Sequence, residues 1–139
     1  MNTHHLTPHE LVNAFFGRVW SPPHDVEAID ELMTEDYEIT TAGTLIKGRD
    51  NFKAWVKEFH QVLIDAKNES LEIFSNEDGT RVVSRWVCSG INNGILGLPA
   101  DQQPISFTGI AIWSVRAERL SACWVERSAW ELYKSLVDK

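Results

Sequence analysis

The chain has 139 residues, with 20 acidic and 13 basic side chains and a formal net charge of -7. Hydrophobic residues make up 43% and charged residues 24%, a balance that excludes a disordered chain and fits a single domain over 1–139. The acid excess, with no Lys/Arg cluster, excludes the basic footprint that nucleic acid or an anionic lipid surface requires, and no apolar run approaches the roughly 18 residues of a membrane span.

Thr7-Pro8-His9-Glu10 reads as a helix start, with Thr7 as cap, Pro8 at the first position and Glu10 closing a capping box. Leu11, Val12, Phe15, Phe16 and Val19 follow at helical spacing, and Ser21-Pro22-Pro23-His24 ends the run. Asp25 is the expected cap of a short second helix carrying Val26, Ile29, Leu32 and Met33. Strands are expected over 37–41 and 44–47 around a turn at Gly43, and a third helix opens at Gly48-Arg49-Asp50 with Phe52, Trp55, Val56, Phe59 and Leu63 on one stripe. Four more strands follow at 67–74, 81–90, 105–115 and 120–126, with a hairpin turn at Asn76-Glu77-Asp78-Gly79. Trp130 to Leu136 suggests a final helical turn or tail. Helices first and an antiparallel meander second make an α+β fold, a curved sheet wrapped around three amino-terminal helices.

Cys88 and Cys123 are far apart and in apolar surroundings, so buried reduced thiols in a cytoplasmic protein are expected. The first twenty residues show no basic start before an apolar core, so no secretory leader is expected. His4, His5 and His9 cluster near one end, where order is weak, and His24 and His60 complete the set without a metal-binding spacing. No Gly-rich phosphate loop appears either, so the expectation is no metal and no cofactor. The 92–103 segment, with Ile95, Leu96, Leu98 and Pro99, is long and apolar enough to serve as a lid or pocket rim.

Several motifs occur in a telling order. They are the run Asp25 to Thr40, the Gly48-Arg49-Asp50-Asn51-Phe52 helix start, and Arg85-Trp86 to Gly90. Then come Asn93-Gly94, Gly97-Leu98-Pro99, Phe107-Thr108-Gly109-Ile110, and Arg119-Leu120 with Trp124. In this order and spacing they resemble the SnoaL-like polyketide cyclase family of the nuclear transport factor two-like superfamily. The resemblance implies a cone of curved sheet and helices around a central pocket. It also implies a homodimer or higher homo-oligomer and a hydrophobic small-molecule ligand. It places the family's acid/base Asp at Ser128 and its His at Ser114, and puts Ala122 where the family has Glu. A ketosteroid isomerase-like base would fall near Thr41. A serine hydroxyl does not shuttle protons near neutral pH as a carboxylate does, so the aldol mechanism does not transfer as it stands.

If Ser114 and Ser128 line the pocket, residues of like parity line it too: Thr108, Ile110 and Ile112 on one strand, Ala122, Trp124 and Glu126 on the next. Glu126 then becomes the candidate acid/base, its pKa raised beside Trp124. Arg85 is a candidate for holding a substrate oxygen, against a structural pairing with Asp36 or Glu38, and His60 a candidate pocket acid/base. Leu96 and Phe59 complete the expected lining. The same parity sends Trp113 to the opposite face, as a candidate for the subunit interface. Two functions follow: a cofactor-independent acid/base enzyme of cyclase, isomerase or dehydratase type, or a non-catalytic binding or assembly protein of the same fold.

Overall fold

Thr7 caps the first helix as its sequence requires. The Thr7 Oγ1 accepts from the Glu10 N–H at 3.1 Å, and the Glu10 carboxylate accepts from the Thr7 N–H at 2.9 Å. Helix α1 (Pro8–Phe15) then widens into one π-helical turn, Phe16–Trp20, before the prolines. These details come from a computed structural model that describes residues 6–138; His4 and His5 lie outside the described residues.

A 3₁₀ turn (Val26–Ala28) leads into the short α2 (Ile29–Leu32), and Asp25 makes no side-chain cap there, contrary to its expected role. Strand β1 (Met33–Thr41) begins four residues before the expected start, and β2 (Thr44–Lys47) returns through a tight turn. Ala42 and Gly43 both take positive φ in that turn, matching the right-handed twist of the hairpin. Helix α3 (Arg49–Val62) buries Phe52 and Val56, while Leu63 already belongs to β3 (Leu63–Ser75). Strands β4 (Arg81–Asn92), β5 (Pro104–Arg116) and β6 (Arg119–Arg127) complete the meander. The carboxyl end folds as α4 (Ala129–Val137), two turns rather than a tail.

The sheet order is β2-β1-β6-β5-β4-β3. All neighbours are antiparallel except β1 and β6, which run parallel. Three strands exceed eleven residues, and a sheet that long bends only where its ladder breaks. Register shifts between Ile64 and Lys67 and between Ser70 and Glu72 bend β3 along β4. Another between Ser114 and Val115 bends β5 along β6. The concave side receives α1, the π turn and α3, so the core is a ring-rich wedge between helices and curved sheet. No described helix is long and apolar enough to cross a membrane.

Candidate functional site

The concave face encloses a cavity lined by aromatic rings from every layer: Phe15, Phe16 and Trp20 near α1, Phe52 and Phe59 from α3, and Trp86, Phe107 and Trp113 from the sheet. The space between atoms totals about 450 Å³ including its mouth, but the centre of a water molecule has only about 40 Å³ to occupy. That is a narrow slot with room for about three waters, a shape suited to flat rings.

Strand alternation decides which side chains reach it. On β5 the inward residues are Phe107, Gly109, Ala111 and Trp113, and on β6 they are Cys123, Val125 and Arg127. The last is a cation continuing an apolar every-second-residue stripe. Arg127 Nη1 donates to Thr41 Oγ1 at 2.6 Å, and the guanidinium lies 5.6 Å from the Trp55 ring and 6.0 Å from the Trp86 ring. No carboxylate among the described residues forms an ion pair with it. Burial pulls its pKa down from the ordinary arginine range, but an arginine starts so far above neutral pH that it stays a cation.

Other polar groups line the same space. Tyr37 is fully buried, and desolvation raises its hydroxyl well above the usual range. Burial pushes the Cys88 and Cys123 thiols up to about 12, so both are neutral and unreactive at physiological pH. Two polar atoms of the lining residues are buried without a hydrogen-bond partner: Asn68 Oδ1 and Trp113 Nε1, the latter beside the Tyr37 hydroxyl but out of hydrogen-bond geometry. An unmet acceptor and an unmet donor in one cavity are sites for a ligand's own hydroxyl or carbonyl. Asn68→Leu should therefore leave the free protein as stable or up to about 1 kcal/mol more so, because the Ser21 bonds use only the Asn68 backbone. Urea unfolding checks this, and the same variant should bind cavity ligands more weakly.

The expected parity is reversed in the structure. Ile110, Ile112, Trp124 and Glu126 lie on the outer face of the sheet, with Ile110 52% and Trp124 45% exposed. Trp113, expected outside, is 2% exposed and lines the cavity. The expected alternation started from Ser114, which is even-numbered and sits at the β5–β6 bulge. There its hydroxyl meets Ser121 Oγ at 2.6 Å, buried outside the cavity lining. Ser128 lies beyond the end of β6, where its Oγ accepts from the Thr108 N–H at 2.9 Å. The signal for the true inward face was Gly109: a Cβ there would run into the Trp86 ring, so the small residue marks the concave side.

The remaining candidates also lie away from the slot. Arg85 is exposed on the outer face and pairs with Glu72 at 3.1 Å; Asp36 pairs instead with Arg116 at 2.6 Å. Leu96 is exposed at positive φ, while its neighbour Ile95 is buried in the core. The 92–103 segment is pinned by Asn92, whose Oδ1 accepts from Gly94 and Ile95 and whose Nδ2 donates to Pro99 O and Asp101. Phe59 lines the cavity. No three metal-ligating side chains converge among the described residues.

His60 stands one ring behind the cavity, edge-on to Trp20 at 5.3 Å and to His24 at 4.7 Å. Desolvation first, then the His24 charge, lowers its pKa from 6.5 to about 4, and its Nε2 is buried without a partner. Between those two values the folded His60 is neutral while the unfolded chain carries the extra proton. Stability therefore falls as pH drops from 6.5 towards 4. Allowing for its partial exposure, the loss should be about 1–2 kcal/mol, and His60→Leu should flatten that part of a stability-versus-pH curve measured by urea unfolding.

The SnoaL-like domain family model matches residues 12–122. No functionally curated protein matches the sequence. Among solved structures, a candidate polyketide cyclase from Acidithiobacillus ferrooxidans is similar with a TM-score of 0.84 at 21% identity, covering 94% of each chain. A candidate SnoaL-like polyketide cyclase from Jannaschia sp. CCS1 gives 0.84 at 12% identity, over 100% of this chain and 99% of that one. IdmH from Streptomyces antibioticus, also a candidate polyketide cyclase, gives 0.80 at 18% identity, over 94% and 98%. A family match over most of the length, and a mixed six-stranded cone shared with these structures, place the chain in the SnoaL-like domain family.

Proposed function

We propose that the cone cavity binds a planar, oxygen-bearing small molecule and acts on it as a cyclase or isomerase, with Arg127 drawing electron density from a substrate oxygen. The observation that carries this reading is a half-buried guanidinium, without a carboxylate partner among the described residues, lying against two tryptophan rings at the aromatic cavity. Such a cation stabilises charge that develops on a carbonyl oxygen during enolisation, and the low polarity of an aromatic wall relative to water strengthens the effect. The wall rings hold a flat substrate so that its own carbon nucleophile and carbonyl meet, which lowers the entropic part of a ring closure. Glu126, Arg85 and His60 take no part, since none of them lines the cavity.

A second reading, a binding protein without turnover, is favoured by one fact: the lining residues include no Asp, Glu or His. The two separate on a single probe, 1-phenylhexane-1,3,5-trione, whose aldol closure to 5-phenylresorcinol is followed by absorbance. The enzyme reading expects a raised Tm and a closure rate at least tenfold above buffer, lost in Arg127→Gln. A raised Tm without acceleration establishes the binding reading. No change in either discards the cavity as a small-molecule site.

A further inference from the structure

The cavity holds a cation that makes no ion pair among the described residues, and its lining includes no carboxylate or imidazole to accept a proton. The ionisable groups around Arg127 are Tyr37 from β1, Cys88 from β4 and Cys123 from β6, and burial keeps all three neutral. Its chain neighbour Glu126 is exposed on the outer face and favours the cation only through its charge across the sheet, β5 offers Gly109 beside it, and α3 offers the ring of Trp55. A half-buried guanidinium facing aromatic rings recovers its lost hydration best from an anion. A carbon acid entering the same slot uncharged finds no carboxylate or imidazole among the lining residues to take its proton. One kind of ligand answers both facts.

We propose that the ligand is bound as its anion, a planar conjugated oxygen acid of the 1,3-dicarbonyl enol type, whose ionised oxygen pairs with Arg127. The inference rests on the reading of the cavity as the small-molecule site and names the substrate class for it. In the ionisation the enol O–H bond breaks, its electron pair stays on oxygen and spreads over the O–C–C–C–O system, and the proton passes to bulk water. The guanidinium lowers the energy of that anion, so binding itself supplies the nucleophilic enolate and the chain needs no general base.

The full-length protein is titrated with 4-hydroxycoumarin, an acidic enol, and with 4-methoxycoumarin, its neutral counterpart, following tryptophan quenching and Tm. At neutral pH the hydroxy compound should bind at least tenfold tighter, and the difference should vanish below that compound's own pKa. Benzoylacetone, a weaker acid, should show its enolate absorption when bound at a pH where the free compound is protonated. Arg127→Lys should keep part of that band and Arg127→Gln should lose it; if the Gln variant does not fold, the wild-type comparison and the Lys variant decide. Equal binding of the two coumarins, or bound benzoylacetone without an enolate band, overturns the inference while leaving the small-molecule site intact. Binding of none of the three probes overturns the site itself and the inference with it.

Discussion

Arg127→Met should give a protein that is more stable and no longer holds its ligand. The guanidinium makes one side-chain hydrogen bond, to Thr41, and two ring contacts, and has no ion pair among the described residues to offset the loss of its hydration. Replacing a desolvated charge by an apolar side chain of similar length is often stabilising, and for this half-buried one up to about 1 kcal/mol is expected. The gain is limited because Thr41, itself buried, loses its donor. Affinity for 4-hydroxycoumarin should fall at least tenfold in the same variant. Urea unfolding and the ligand titration together read both effects. A large loss of stability would show that Arg127 serves the fold, and would separate this site from one that retains a costly charge for its ligand.

Gly109→Ala should be the most damaging small substitution in the sheet. Gly109 pairs with Trp86 on one side and Arg127 on the other, and a Cβ there collides with the six-membered ring of Trp86. Backbone on both flanking strands prevents β5 from backing away, so the ring must move instead. Overpacking of this kind costs about 1–3 kcal/mol. The displaced ring is also one of the two against the guanidinium, so ligand affinity should fall together with the urea midpoint. Trp86→Phe in the Gly109→Ala background should return part of the stability, a coupling that a double-mutant cycle measures. Equal losses in the single and double variants would place the strain elsewhere.

The elements were legible because each is written locally. The capping box at Thr7 and Glu10, the α3 stripe, the two-residue turn at Ala42-Gly43 and the β5–β6 hairpin each depend on residues a few positions apart. The site was much less legible. Phe59 was among the expected pocket residues and lines the cavity, but Ile110, Ile112, Trp124 and Glu126 were expected on the face that the structure turns outward. Strand parity has only two values, and a starting residue at a bulge picks between them wrongly. Ser114 sits beside such a bulge, so the whole set inverted.

By itself the sequence determined an α+β fold, most of its helix starts and turns, and motifs whose resemblance to the SnoaL-like family implied the cone, since short-range spacing and patterning carry those. The tertiary structure alone decided which face of the sheet is concave. It thereby moved Trp113 inside and Trp124 outside, paired Arg85 with Glu72, and drew Thr41, Trp55, Trp86 and Arg127 together from four separate elements. The physical reason is that curvature comes from ladder breaks and close ring-to-glycine packing between distant strands. A residue's place relative to that curvature is a property of its neighbours across the sheet, and the chain order does not hold it.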